Sequence, residues 1–152
     1  MKNALAEMIA AVRPTLLNNA RDVDRGGQFP SANFAALRQS GLLAAAVSRE
    51  GGGLGLGPQH REPGDIAGFC TLLGELARCC GSTAQCLATH ATAMTVVNLL
   101  GTAAQREFFG REMLRGSVFG AFAGEPGQRR DRITGDHVGW TTEAKEGATA
   151  FG

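Results

Sequence analysis

The side chains that could act as acid–base groups are few and scattered along the chain. The three histidines are His60, His90 and His137. His90 lies between Thr89 and Ala91 in the middle of a predicted helix, where an imidazole is more often packed or at the surface than a general base. His60 and His137 lie in predicted loops with no obvious partner nearby in the sequence. We therefore assign no catalytic role to a histidine.

The candidate nucleophile and carboxylates also have structural explanations. Ser82 has no local histidine and acid, and its position suits a helix N-cap. Glu75 directly precedes the apolar Leu76, and we expect it to be solvated or salt-bridged rather than a buried acid. Glu125 comes just before Pro126 at the end of an apolar run, where sites often form, but a role in fixing the turn is the default. The sequence therefore assigns no catalytic residue.

The cysteines and the overall charge exclude several classes of function. The four cysteines are Cys70, Cys79, Cys80 and Cys86. Two adjacent cysteines do not form a metal-ligand CxxC pair, so no metal site is expected, and we predict buried, reduced thiols in a cytoplasmic protein. A net charge of +1 gives no electrostatic case for nucleic-acid binding. No signal peptide and no apolar run of membrane-spanning length is evident.

A glycine-rich loop runs from Gly51 to Gly57 and could in principle cradle a phosphate. The third glycine of a GxGxxG pattern would fall on Pro58, and no Lys-Ser or Lys-Thr pair follows. We therefore predict a plain, mobile connection without a ligand rather than a nucleotide-binding turn.

Two helices are predicted before this loop. The first runs from about Asn3 to Val23, with apolar residues at three- and four-residue steps, and Pro14 should kink or split it. In the shorter second helix, Pro30 suits the first turn and Gly41 suits the end.

Three helices are predicted after the loop, over Asp65 to Cys80, Ser82 to Leu100, and Thr102 to the residue before Gly116. Ser82 with Gln85, and again Thr102 with Gln105, have the spacing of a capping box. Short connections make consecutive helices close neighbours.

The pattern changes at Ser117 to Gly127, where a short apolar run bounded by glycine and proline favours a buried strand. Weaker strand candidates are Arg132 to Val138 and Thr141 to Ala144. The sequence thus predicts a mainly α fold, with a helical domain over 1–116 and the beginning of an incomplete β domain over 117–152.

Four segments, in this order, resemble the acyl-CoA dehydrogenase family. They are FPSANFAALRQSGLLAAAV, REGGGLGLG, FCTLLGELARCCGSTAQCLATH and LLGTAAQREFFGREMLRGSVFGAFAGEPG. The resemblance implies an N-terminal helical domain, a middle β domain and a C-terminal four-helix domain, with FAD between the last two. It also implies removal of an α proton and a β hydride from an acyl thioester, a glutamate base in the C-terminal domain, electron-transfer flavoprotein as partner, and homo-oligomers.

The resemblance also implies which residues here contact the cofactor. Backbone groups of Ala121, Phe122, Ala123 and Gly124 match the segment that meets the flavin ring, and Arg130 matches a phosphate contact. Gly124 replaces the family's usual threonine and removes a hydroxyl, and Arg130 replaces its usual serine.

The chain resembles a truncated family member, because the part that would carry the glutamate base has no counterpart in it. We expect this fragment to be inactive alone and not to retain FAD tightly. Two alternatives stay open: a non-catalytic helical interaction module, and a flavin-dependent monooxygenase of the same fold.

Overall fold

The computed structural model describes residues 2–60, 63–120, 132–135 and 140–143 of the chain. The chain divides into two units, Met1–Ala121 and Phe122–Gly152, and each is described by itself. The first unit holds all the described helices, which confirms the mainly α fold. Its elements are α1 (Lys2–Gly26), α2 (Ser31–Gln39), a 3₁₀ turn (Leu42–Ala44), α3 (Ile66–Ala77), α4 (Gly81–Leu100) and α5 (Ala103–Arg115).

Helix α1 is continuous through Pro14, so this proline does not split the helix, and the kink that the sequence offered as the other outcome stays a prediction. Proline removes one backbone donor, and the side chain of Pro14 is exposed, on the side where water can hydrate the carbonyl left unpaired. Ile9, Val12 and Leu16, on both sides of the proline, are buried in the core. Packing of this apolar face therefore maintains the helix across the missing bond.

Helix ends follow the sequence signals in most places. Gly41 follows α2 with a φ of +80°, a left-handed conformation that favours glycine. Pro30 is the residue before the first turn of α2 rather than a member of it. Asp65 caps α3 by accepting a hydrogen bond from the Gly68 N–H at 2.7 Å.

The two predicted capping boxes have different outcomes. The Thr102–Gln105 box is confirmed, because the Gln105 N–H donates to Thr102 Oγ1 at 3.2 Å and the Thr102 N–H donates to Gln105 Oε1 at 2.8 Å. The Ser82 box was wrong, because α4 begins at Gly81 and its N-cap is Cys80, which makes no side-chain capping bond. Ser82 is therefore already inside the helix, where its hydroxyl cannot act as an N-cap.

The segment Leu42–Val47, which follows α2, is buried along its whole length. Because none of it is α-helical, several of its carbonyl groups need partners from elsewhere. The Gly55 N–H donates to Val47 O at 2.8 Å and the Leu56 N–H donates to Ala45 O at 2.9 Å. The core is built on both sides of this segment, against α1 to α4 on one side and against α4 and α5 on the other.

These bonds correct the interpretation of Gly51 to Gly57 as a plain connection. The loop's backbone pairs with the buried segment, Leu56 is buried, and the Gly57 N–H donates to Asp65 O at 3.0 Å. Its mobility and its lack of a ligand stay predictions.

In the second unit, β1 (Arg132–Gly135) pairs antiparallel with β2 (Trp140–Glu143), with Arg132 opposite Glu143 and Gly135 opposite Trp140. This pair confirms the strand predictions within the described residues. Of the strand predicted over Ser117 to Gly127, residues 117–120 have no regular secondary structure and the rest lie outside the described residues. The domain boundary after residue 116 stays a prediction. None of the described helices combines the length and the apolar character needed to cross a membrane.

Candidate functional site

The candidate site is the junction, which we define as residues 116–120, where the chain leaves α5. It is the last described part of the first unit before Ala121, the first residue that the family resemblance assigns to flavin contact. Bonds from three helices fix its backbone.

Gly116 ends α5 with a φ of +95°. The Gly116 N–H donates to Met113 O at 3.0 Å, and the Ser117 N–H donates to Glu112 O at 2.9 Å. This pair of bonds is a Schellman motif, which needs the left-handed conformation that glycine adopts with least strain. The motif sets the direction in which the chain leaves the helix.

Arg38 of α2 binds the same point from the other side. Its Nη2 donates to the carbonyl oxygen of Gly116 at 2.7 Å. A Cβ atom at Gly116 would overlap the end of the Arg38 side chain, so a larger residue would displace the guanidinium from this hydrogen bond. The guanidinium also satisfies one of the carbonyls that a helix C-terminus leaves unpaired.

Glu112 joins the side chains around the helix end. It accepts a hydrogen bond from Ser117 Oγ at 3.1 Å, and Arg115 donates to it at 2.8 Å. Because the Glu112 carboxylate is only about a quarter exposed, these contacts order Ser117 more than a fully solvated pair would.

His90, in the middle of α4, makes the deepest contact of the junction. Its side chain is buried, with 1% of its surface exposed. The backbone N–H of Phe119 donates to its Nδ1 at 3.0 Å, and its Nε2 lies 3.0 Å from the carbonyl oxygen of Leu43. One ring therefore connects the buried segment, α4 and the junction.

These two bonds define the protonation state of His90. Nδ1 accepts a hydrogen bond, so it carries no proton, and Nε2 must donate to the Leu43 carbonyl because a carbonyl only accepts. The imidazole is therefore the neutral Nε2–H tautomer. Burial lowers the pKa of His90 below its ordinary value of 6.5, more than its bond to the Leu43 carbonyl raises it.

Aromatic packing completes the junction. The Phe119 ring stacks on the His90 ring, with centroids 6.0 Å apart and planes inclined by 12°. It also packs against Phe109 of α5, with centroids 5.1 Å apart. Phe119 is therefore fixed at both its backbone and its side chain.

This arrangement can position a backbone but cannot supply a base. Both ring nitrogens of His90 have protein partners, so the expectation that it is a packed histidine rather than a general base agrees with the structure. In the sequence His90 is one of several polar residues on the inner face of its helix, and its partners at Leu43 and Phe119 are 47 and 29 residues away. Asn98 of α4, which sequence reasoning passed over, similarly donates to Ala46 O at 3.1 Å.

The residues that the resemblance assigns to the cofactor lie outside the described residues. They are Ala121, Phe122, Ala123, Gly124 and Arg130. The same applies to Glu125 and His137, whereas His60 is described and exposed.

Glu75 forms ion pairs with Arg13 and Arg78, as expected for a salt-bridged carboxylate.

The thiols differ in exposure. Cys79 and Cys80 are buried, as predicted, but Cys70 is exposed, so the prediction of burial was wrong there. Cys70 lies on the solvent side of α3, beside the buried face that carries Leu72 and Leu76. Cys86 is partly buried, and desolvation together with the neighbouring Cys80 raises the pKa of its thiol.

A second buried polar cluster lies away from the junction. Asn19 donates to Asn33 Oδ1 at 2.8 Å, Asn33 donates to Thr83 Oγ1 at 2.8 Å, and Thr83 donates to Cys80 Sγ at 3.1 Å. Asn33 and Thr83 are fully buried. The chain of bonds joins α1, α2 and α4 and specifies their packing.

A match over residues 2–117 to the family described as acyl-CoA dehydrogenase, N-terminal domain, covers more than half of the 152 residues and includes the helical unit up to the junction. The chain belongs to the acyl-CoA dehydrogenase family. This match confirms the resemblance drawn from the four sequence segments.

Two curated relatives of this acyl-CoA dehydrogenase family chain extend the comparison. It is 27% identical over 104 residues to "Acyl-CoA dehydrogenase, short-chain specific" of Clostridium acetobutylicum, covering 68% of this chain and 25% of the relative. It is 28% identical over 104 residues to "Acryloyl-CoA reductase (NADH)" of Anaerotignum propionicum, covering 68% of this chain and 24% of the relative. The aligned part is thus about a quarter of the length of either relative.

Proposed function

We propose that this chain provides the N-terminal helical domain of an FAD-dependent acyl-CoA dehydrogenase, an oxidoreductase acting on the α,β carbon–carbon bond of an acyl thioester. The observation that carries the proposal is the family match over residues 2–117. The junction supports it, because the chain has a fixed backbone directly before Ala121 to Gly124.

The described residues are compatible with a supporting role toward FAD, which when bound supplies the hydride acceptor. Among the described residues other than its chain neighbours, no atom lies within 4 Å of a Cβ position at Gly120. The Phe119 N–H is already bonded to His90 and is not free for a ligand. The junction therefore fixes the chain as far as Phe119, and the family resemblance assigns the flavin contacts to Ala121–Gly124 and Arg130.

The substrate class is proposed from the names of the two relatives. One name specifies short-chain acyl-CoA and the other acryloyl-CoA, and both compounds are thioesters of coenzyme A. We propose a CoA thioester as substrate, electron-transfer flavoprotein as electron acceptor, a homo-oligomeric assembly and a cytoplasmic location.

The test uses the complete protein expressed from its genomic locus, with any adjoining reading frame that encodes a helical domain. We expect a yellow preparation whose flavin absorbance is bleached by butyryl-CoA without oxygen and restored by electron-transfer flavoprotein. Acryloyl-CoA with NADH tests the reverse direction. A colourless preparation that takes up no added FAD would contradict the proposal. The chain of residues 1–152 alone serves as a control and is expected to be colourless.

A helical interaction module is the second candidate, and exposed apolar residues on α4 favour it. Val96, Leu99 and Leu100 are 50%, 52% and 83% exposed at the end of this helix. Apolar side chains concentrated at one helix end are typical of a surface that another chain or domain covers. We expect Leu99→Lys to reduce self-association in light scattering, whereas Leu17→Lys on α1, a similarly exposed apolar position at 51%, should not. Self-association without any flavin binding would favour this candidate.

A further inference from the structure

We propose that His90 is a pH-sensitive switch that releases the end of the junction, residues 118–120, from α4 when its Nδ1 takes up a proton. The helices stay folded in this change, and only the short segment after Ser117 moves away. The inference uses residues of the first unit alone and does not depend on a flavin or on the proposed function.

The first step is that protonation acts on one of the two His90 bonds. Nε2 already carries the proton that it donates to the Leu43 carbonyl, so a second proton can go only to Nδ1. Nδ1 lies 3.0 Å from the Phe119 nitrogen and accepts its N–H. With a proton on Nδ1, two donors would face each other and this bond is lost. The bond to Leu43 gains a charged donor and becomes stronger, so the ring stays on the buried segment.

The second step is that the elements touching His90 supply no opposite charge. The segment Leu42–Val47 consists of leucine, alanine and valine, and α4 contains no acidic or basic residue other than His90. The one other titratable side chain of α4 is Cys86, whose thiol stays neutral at neutral pH because burial raises its pKa. Burial also lowers the pKa of His90, and no charged side chain among the described residues contributes to it.

The charged side chains on the neighbouring helices have partners of their own. They form three groups of ion pairs: Glu75 with Arg13 and Arg78, Glu107 with Arg111, and Glu112 with Arg115. At the junction, Arg38 binds the carbonyl of Gly116. On α5 the side chain that meets Phe119 is the uncharged Phe109. A protonated His90 is therefore stabilised by admitting water, which requires the covering segment to open.

The third step is that His90 holds this segment almost alone. Among the described residues, the bond from Phe119 to His90 is the only hydrogen bond made by residues 118–120. Gly116 and Ser117 are held separately, by their own bonds to α5. Loss of one bond therefore frees residues 118–120 without unfolding the helix end.

Release of Phe119 also uncovers an apolar cluster. The Phe119 ring packs on the rings of His90 and Phe109 and is partly buried. Beneath it lie buried residues of the segment, α4 and α5, namely Ala44, Ala46, Val47, Ala91, Met94 and Met113. The protonated form should therefore expose apolar surface that the neutral form covers.

Hydrogen exchange of the wild-type chain tests the switch, with NMR of the 15N-labelled imidazole to follow protonation from about pH 7.5 to about pH 5. After correction for intrinsic exchange, the Phe119 amide should lose protection by about tenfold or more as Nδ1 becomes protonated. The amides of Leu87 and Met94 in α4 should stay protected. Unchanged protection of Phe119 while His90 titrates would overturn the proposal. So would simultaneous loss at all of these amides, or no titration of His90 before the helices unfold.

Two histidine variants identify the group that titrates. His90→Leu can neither accept the bond nor take up a proton, so its Phe119 amide should be weakly protected at every pH. His60→Gln changes an exposed histidine and should keep the wild-type pH dependence. If the protection of Phe119 still depends on pH in His90→Leu, another group controls the junction and the proposal is wrong.

A dye that fluoresces on apolar surface, anilinonaphthalene sulfonate, gives an independent readout. Its fluorescence with wild type should rise by about pH 5 while the far-UV circular dichroism and the near-UV signal of the helical core stay unchanged. Phe119→Ala lacks the covering ring and should bind the dye already at about pH 7.5. A rise that accompanies loss of helical or core signal would mean general loosening and would contradict a local switch.

Discussion

Arg38 of α2 donates from Nη2 to the carbonyl oxygen of Gly116 at 2.7 Å, 78 residues further along the chain. This contact joins the second helix to the end of the last one. Because Gly116 also adopts a φ of +95°, the guanidinium and the turn depend on the same missing side chain. A side chain at position 116 would therefore disturb both the left-handed backbone conformation and the Arg38 hydrogen bond.

Gly116→Ala should destabilise the chain by about 1–3 kcal/mol. The added Cβ disfavours the left-handed conformation and displaces Arg38 from its hydrogen bond. Urea unfolding followed by circular dichroism measures the change. Gly74→Ala is the control, because Gly74 is exposed inside α3 with open space at its Cβ position, and it should stabilise by about 0.5–1 kcal/mol. Equal effects of the two variants would contradict this account.

Stability should fall as the pH drops below 6.5, in part because of His90. Its pKa in the folded chain is lowered from 6.5 by burial, so the unfolded chain takes up the proton more readily. The neutral ring's contribution is complete above pH 6.5 and is lost as the pH falls through the lower folded value. Urea unfolding at about pH 7.5 and about pH 5.5 measures this loss.

The histidine variants identify the source of that pH dependence. His90→Leu should have a shallower fall in stability than wild type, because it has no imidazole to protonate. His60→Gln changes an exposed histidine and should keep the wild-type slope. If the free energy of unfolding of His90→Leu falls with pH as steeply as that of wild type, other groups, such as the carboxylates, account for the pH dependence.

Asn33→Ala should cost about 2–4 kcal/mol in the free energy of unfolding. Asn33 is fully buried, and its amide bonds both Asn19 and Thr83, so truncation leaves polar atoms without partners and opens a small cavity. Thermal unfolding by calorimetry measures the change. Asn18→Ala, at the exposed neighbour of Asn19, should stay within about 0.5 kcal/mol of wild type.

The four thiols should react with iodoacetamide in an order set by exposure. Cys70 is exposed and should react first, Cys86 is partly buried with a raised thiol pKa and should react more slowly, and Cys79 and Cys80 should react only on unfolding. Mass spectrometry of peptides after timed quenching measures the rates. Rapid labelling of Cys80 in the native chain would contradict its burial.

Thr102→Ala should destabilise by about 1 kcal/mol, because Thr102 caps α5 in a reciprocal pair with Gln105. Ser82→Ala should have little effect, since Ser82 lies inside α4 and Cys80 takes the N-cap position. Chemical denaturation distinguishes the two variants, although the sequence shows the same spacing at both sites. A larger loss in Ser82→Ala would mean that α4 begins later than described.

The sequence by itself determined the features that depend on near neighbours. The five helices, the ends at Gly41 and Gly116, and the box at Thr102 follow from periodicity and local capping, which act within a few residues. The family was also recognisable from four short segments, in agreement with the match over residues 2–117.

The tertiary structure decided the features that depend on distant partners. Core packing kept α1 continuous through Pro14, and α4 begins at Gly81 with the buried Cys80, not Ser82, as its N-cap. His90 was one unremarkable polar residue until folding placed Leu43 and Phe119 at its two nitrogens. Such roles come from desolvation and hydrogen bonds between segments far apart in the chain, and no local pattern encodes which segments will meet.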